Sequence, residues 1–198
     1  MDYLSLFKEK NIEGSAIYSR DDIGVARLFY DLHSGVVRYV VEAKTWYVYN
    51  GQRWLKDDGG LRVMELCKSF VQAFDEYARN IGGKDEDFIK YAAKLKSRRK
   101  REGILSDAKS IEPMSLSAFD KNKYLFNCIN GTLDLECFGL RPHSSEDYIT
   151  KIARVRYDHE AECPRWEKFV DEVMCGDTET AVFLQKALGY ALTGDVSN

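Results

Sequence analysis

The spacing of apolar positions changes several times along this chain, and each change marks an element. Val25, Leu28, Phe29 and Leu32 follow the 3.6-residue helical period behind Ser19 or Asp21, either of which can cap the helix, and Gly35 closes it. The next segments are β in character. Val36 to Val41 and Thr45 to Tyr49 are rich in Val, Tyr and Trp, and Asn50-Gly51 predicts a tight hairpin with two positive-φ residues before Gln52-Arg53-Trp54-Leu55. Beyond Gly59-Gly60 the pattern predicts a helix over about 61–80, with Val63, Cys67, Phe70, Phe74 and Tyr77 on one line and Met64, Leu66, Val71 and Ala78 widening it. So broad a stripe implies burial on more than one side.

Asp85-Glu86-Asp87 then stands where a helix N-terminus favours acids, and Phe88, Tyr91, Ala92 and Leu95 form a short stripe. The next in-phase positions are Arg98 and Arg99, and the apolar pattern restarts out of phase at Ile104, Leu105 and Ala108. The helix therefore breaks near Ser97 and a second begins there, giving a pair with a basic elbow. From Leu125 to Leu135 a second hairpin is predicted around Asn130-Gly131, continued by extended pieces at Tyr148-Ile149-Thr150 and Val155-Arg156-Tyr157. Pro164 suits the first turn of a helix carrying Trp166, Phe169, Val170 and Val173. Asp177 can cap a last helix with Phe183, Leu184, Ala187, Leu188 and Ala191 on one face. The predicted class is α+β: two hairpin-containing sections (1–82 and 123–198) joined by a basic helical segment (83–122), with two helices closing the chain.

With 198 residues, 44% of them hydrophobic and 13% aromatic, the chain can bury a sizeable core, which excludes disorder. Its 29 basic and 32 acidic residues leave a net charge of −3, so any nucleic-acid signal has to be local. One such signal exists. Residues 89–101 hold seven basic side chains and no acid, whereas residues 158–198 hold nine acids and three basics. A stretch this basic can neutralise several phosphates, which makes Lys94, Lys96, Arg98, Arg99, Lys100 and Arg101 the candidate nucleic-acid contacts. A solvated helix face or a complement to an acidic neighbour would use the same residues. Trp46, Tyr47, Tyr49 and Trp54 are candidate base-stacking residues, although strand alternation turns two of the four towards the core.

No apolar run approaches the ~18 residues of a membrane span, and the N-terminus lacks a signal-peptide pattern, so a cytoplasmic protein without a membrane partner is expected. Five cysteines, odd in number and without a C-x-x-C pair, are expected to be reduced thiols. His143 and His159 lie near Cys163 without a ligand spacing, so no metal site is expected. His33 is expected at a helix end, where a positive imidazolium would suit the dipole.

Catalytic patterns are sparse. There is no G-x-x-x-x-G-K-[ST] loop, and Gly82-Gly83-Lys84-Asp85 is read as a turn ahead of a helix. Asp134-Leu135-Glu136 has the alternation with which polymerases hold magnesium, but an acid at a hairpin rim is ordinary, and Asp57-Asp58 and Asp85-Glu86-Asp87 are weaker still. No serine sits in a G-x-S-x-G elbow. No catalytic residue and no cofactor of the chain itself are expected.

Several stretches resemble a known family. They are Phe126-Asn127-Cys128-Ile129-Asn130-Gly131-Thr132-Leu133-Asp134-Leu135, Leu140-Arg141-Pro142-His143, Glu146-Asp147-Tyr148-Ile149-Thr150-Lys151, Cys163-Pro164-Arg165-Trp166 and Phe183 to Gly194. In order and spacing they are similar to the segment preceding the ATPase in phage and plasmid primase-helicases, relatives of the poxvirus replicative primase-helicase. Trp46-Tyr47-Val48-Tyr49-Asn50-Gly51-Gln52-Arg53-Trp54 is similar to the hairpin of that family's amino-terminal module. In that family a primase often lies upstream and a superfamily-III helicase ATPase follows. The chain ends at Asn198, ahead of where the ATPase loop is expected, as an excised module or a truncated reading frame would.

The resemblance implies a non-catalytic module in DNA replication, in the cytoplasm of a bacterial host. It implies weak binding of single-stranded or forked DNA by the module alone. It also implies self-association of the full-length protein, as a hexameric ring, with ATP and magnesium needed only by the absent helicase domain. The full-length protein would be an ATP-dependent DNA helicase, often with primase activity. Two other classes stay open: a stand-alone nucleic-acid-binding protein using the same elbow, and a minimal primase or nuclease in which Asp134 and Glu136 hold magnesium.

Overall fold

The structure, a computed structural model, describes residues 1–80 and 85–195, so the turn expected at Gly82-Gly83-Lys84 lies outside the described residues. The fold is α+β, as expected. The chain divides into two compact units: Met1–Asn50 with Trp54–Ala118, and Gly51–Arg53 with Phe119–Asn198.

The first unit contains α1 (Tyr3–Glu9), α2 (Asp22–His33), the antiparallel strands β1 (Val37–Val40), β2 (Thr45–Tyr49) and β3 (Trp54–Asp57), then α3 (Leu61–Asn80), α4 (Glu86–Leu95) and α5 (Arg98–Ala108). Helix α3 is the spine. It packs against α1, α4, α5, β2 and β3, which is why its apolar stripe is so wide. Asp57 starts it: the buried carboxylate accepts the amides of Arg62 (3.0 Å) and Val63 (2.9 Å), two donors the first helical turn leaves without partners. Asp21 rather than Ser19 caps α2, accepting from the Gly24 amide at 2.8 Å.

Helix α1 has no counterpart in the predicted elements. Asp2 caps it, and its seven residues place Tyr3 and Phe7 one turn apart, facing inward, which is too short a run to show a period. Phe7 is fully buried against the rings of Phe70, Phe74 and Tyr77.

The hairpin turns differ from expectation. Tyr49 pairs with Trp54, so the β2–β3 loop has four residues; of Asn50-Gly51, only Gly51 has positive φ (94°). In the second unit, β4 (Leu125–Cys128), β5 (Gly131–Asp134) and β6 (Gly139–Arg141) form an antiparallel sheet. Cys128 pairs with Gly131, so the β4–β5 turn residues are Ile129-Asn130, and Gly131 belongs to the strand. A glycine is needed there because a Cβ would stand 2.5 Å from the Arg141 carbonyl oxygen.

Tyr148-Ile149-Thr150 and Val155-Arg156-Tyr157 are not strands; Tyr148 instead adopts a left-handed conformation with φ 49°. Helices α6 (Pro164–Val173) and α7 (Thr178–Ala191) begin as expected, with Pro164 in the first turn of one and Asp177 capping the other. No residue of either helix is buried.

Candidate functional site

The basic elbow forms where the apolar period breaks. Ser97 leaves helical geometry (φ −67°, ψ 148°) and its hydroxyl accepts from the Lys100 amide, so α4 stops and α5 restarts at one residue. Phe88, Ala92 and Leu95 of α4 and Ile104, Leu105 and Ala108 of α5 are buried, which fixes both helices and leaves the intervening cations at the surface.

The cations sort into two groups. Lys96 donates to Asp75 at 2.9 Å, and the same carboxylate takes Arg79 at 3.1 Å. Burial opposes ionisation of Asp75, but the bonds from Arg79 and Lys96 outweigh it and hold its carboxyl below the usual range. Lys100 pairs with Asp22 in the first turn of α2 at 2.8 Å. Arg101 turns back across the break and donates to the Lys96 carbonyl, one of the acceptors that the end of α4 leaves open. These three side chains hold the elbow's shape, and the acidic partners of Lys96 and Lys100 lie far away in sequence.

The other three face solvent. Among the described residues Arg98 pairs only with Glu102, one turn on, at 2.8 Å, with 84% of its side chain exposed. Lys94 and Arg99 are exposed and have no ion-pair partner among the described residues.

The exposed row continues along α5 to Lys109, which was not among the expected contacts. Its ammonium stands 5.4 Å above the Tyr39 ring, at the edge of a cleft of about 380 Å3 that Lys44, Gly60 and Glu102 also line. Helical spacing from Arg98 through Glu102 could have found it.

Of the candidate stacking residues, Trp46 and Trp54 are 4% and 1% exposed. They pack edge-on or tilted against Tyr39 and Tyr49 and serve as core residues, not stacking platforms. Tyr47 and Tyr49 alternate to the other side of β2 and are half-buried.

His33 ends α2, as expected, but does not carry the expected charge. It is fully buried, with Nδ1 2.6 Å from the Phe29 carbonyl and Nε2 2.7 Å from the Tyr3 hydroxyl. A carbonyl only accepts, so Nδ1 carries the proton and Nε2 receives the one from Tyr3. Burial lowers the imidazole pKa to about 4, so the ring is neutral at pH 7 and makes no charge–dipole contribution.

In the second unit polar side chains of residues 120–147 are taken up in bonds within the unit. Buried Asn127 donates through Nδ2 to the carbonyls of Gln52 (3.0 Å) and Lys151 (2.9 Å), and Asn130 exchanges two 2.9 Å bonds with the backbone of Tyr157. Arg141 makes a two-bond pair with Asp147 at 2.8 and 2.7 Å, and Asp120 accepts from the Thr150 amide at 2.8 Å. These side chains hold residues 148–157 in place without a strand ladder. Asp134 accepts from the Glu136 amide at 2.9 Å and so closes a turn at the end of β5. Among the described residues no three His, Cys, Asp or Glu side chains gather as a metal-binding group. Among them, too, no helix is long and apolar enough to cross a membrane.

Residues 26–175 match the family model described as D5 N terminal like, a span that runs from within α2 to the end of α6. No curated protein matches the chain.

Proposed function

Because the chain belongs to the D5 N terminal like family, the N-terminal module of D5-like primase-helicases, we propose that it is a non-catalytic module of a phage or plasmid DNA primase-helicase. In this role it supports replication by aligning subunits and leading single-stranded DNA beside a superfamily-III helicase ring. ATP and magnesium serve the helicase domain of the full-length protein, which assembles as a hexamer. The observation that carries the DNA contact is the elbow, where Lys94 and Arg99 stand exposed beside Arg98. The Arg98–Glu102 pair is exposed and screened by solvent, so a phosphate can replace the carboxylate at little cost.

Lys94, Arg98 and Arg99 make the direct phosphate bonds. Lys96, Lys100 and Arg101 set the elbow's shape and add positive field. Of the expected stacking residues, Tyr47 and Tyr49 are half-buried, and Tyr49 already packs against the Trp54 ring.

Three phosphate contacts on a single strand give a log–log salt slope of about −2. The test is a titration of a fluorescent single strand with the parent chain and with Lys94→Glu/Arg99→Glu, which breaks no ion pair of the elbow. The variant is expected to bind more weakly and with a shallower salt slope. Equal binding by both, with both folded, would remove the elbow as the DNA contact.

A further inference from the structure

We propose that the α6–α7 hairpin is a docking groove for a cationic amphipathic helix of a partner protein, separate from the single-strand contact at the elbow. Local signals define the two helices: Pro164 opens α6, and the Asp177 carboxylate accepts from the amides of Glu179 (3.0 Å) and Thr180 (3.1 Å) to open α7. Burial contributes nothing comparable. Trp166, Phe169 and Val173 of α6 are 47, 51 and 56% exposed, and Val182, Phe183 and Leu188 of α7 are 48, 70 and 45% exposed. Apolar side chains of this size, gathered on one short helical hairpin, mark an interaction site.

Between the helices lies a groove of about 760 Å3 with Trp166, Val170, Leu184 and Leu188 on its floor. Its charged lining residues are Glu167, Asp171 and Asp177, three carboxylates with no cation among them. An apolar floor with an acidic rim is complementary to a helix that presents apolar anchors at i, i+3, i+4 and i+7 flanked by Lys or Arg. Other occupants fit worse. A second copy of α6–α7 would bring like charges together, since residues 158–198 hold nine acids and three basics. The elbow of a second copy supplies cations but no apolar ridge, because the exposed positions of α5 are Arg98, Arg99, Glu102, Ser106 and Asp107. An anionic membrane surface would be repelled by the same rim.

The test uses a fluorescein-labelled peptide about five helical turns long, with Leu on one face and Lys on the other. Its binding to the whole chain is followed by anisotropy, beside a scrambled peptide of equal composition and a version with Glu in place of Lys. The parent chain is expected to bind the amphipathic cationic peptide and neither control. Glu167→Lys/Asp171→Lys and Leu184→Ser/Leu188→Ser should each weaken it by about tenfold or more, while Lys94→Glu/Arg99→Glu leaves it unchanged. Should the leucine variant fail to fold, the charge reversal decides alone. Equal binding of the scrambled or acidic peptide, or an unaffected charge-reversal variant, would overturn the proposal. Concentration-dependent self-association abolished by Leu184→Ser/Leu188→Ser would overturn it too, giving the groove to a second copy.

Discussion

Acidification between pH 7 and pH 5 should destabilise the first unit through a single side chain, His33. The imidazole is fully buried, its centroid lies 4.4 Å from that of Phe29, and both nitrogens are already committed to Phe29 and Tyr3. A second proton on Nε2 would face the Tyr3 hydroxyl with a donor and put a charge in an apolar shell. Burial is the main cause of the depressed pKa of about 4, while the Phe29 carbonyl bond opposes it. Tyr3, raised to about 12 by burial, stays protonated throughout. The unfolded chain takes up the proton near pH 6.5, and the folded chain does so only near 4. Stability is therefore full above about pH 6.5, falls as pH drops, and has lost about 3 kcal/mol once pH passes 4. At pH 5 the loss is about 2 kcal/mol, a large share of a typical domain stability of about 5–15 kcal/mol. Aspartates with lowered pKa values, such as Asp75 and Asp85, lose stabilisation only as pH falls below their unfolded value of 3.8, outside this window.

Urea unfolding at half-unit steps of pH, read by tryptophan fluorescence, suits the question, because buried Trp46 and Trp54 both lie in the first unit. The double variant Tyr3→Phe/His33→Leu removes both polar groups and should show no such slope, while keeping His143 and His159 as internal controls. Parallel pH profiles for parent and variant would refute the assignment.

Replacing Gly51 with Ala should cost about 1 kcal/mol, because its φ of 94° is unfavourable for a side chain but the space around it is open. Gly131→Ala should cost more, by about 1–3 kcal/mol, because its Cβ meets the Arg141 carbonyl at 2.5 Å; thermal melts giving the reverse order would contradict the β5–β6 register. Asp57→Ala should lower stability by about 1–2 kcal/mol through loss of the α3 cap, and Asp57→Asn, whose amide oxygen can replace only one of the two acceptors, should restore part of it. Equal urea midpoints for the Ala and Asn variants would show that the carboxylate does not act as a cap.

What could be read from the sequence was local. The elbow at Ser97, the start of α7 at Asp177 and the inward turn of Trp46 follow from neighbours a few residues away, whereas Trp54 pairs with Tyr49, shares its face of the sheet and is buried for a reason that strand alternation does not report. The hairpin turns were misplaced because register is set by cross-strand pairing, such as Tyr49 with Trp54, and not by the presence of Asn-Gly. Residues 148–150 and 155–157 read as extended pieces because their composition is right, but side-chain bonds from Asp120 to Thr150, Asn127 to Lys151 and Asn130 to Tyr157 satisfy the backbone there instead. The state of His33 depends on Tyr3, and the partners of Lys96 and Lys100 are Asp75 and Asp22; no pattern along the chain reports such distant pairings.

The burial of α1 determines where this polypeptide can be cut. The family match begins at residue 26, inside α2, so a fragment trimmed to it would lose Tyr3, Phe7 and the Asp21 cap. Ring faces of Phe70, Phe74 and Tyr77 that now meet Phe7 would become open surface, and His33 would lose its phenol partner. Met1 is 64% exposed, so an affinity tag or fusion partner joined ahead of it disturbs no packing, whereas Tyr3 and Phe7 a few residues on are part of the hydrophobic interior. A fragment that keeps this first helix is the minimal unit for crystallisation, for NMR, or for grafting the module onto a heterologous motor.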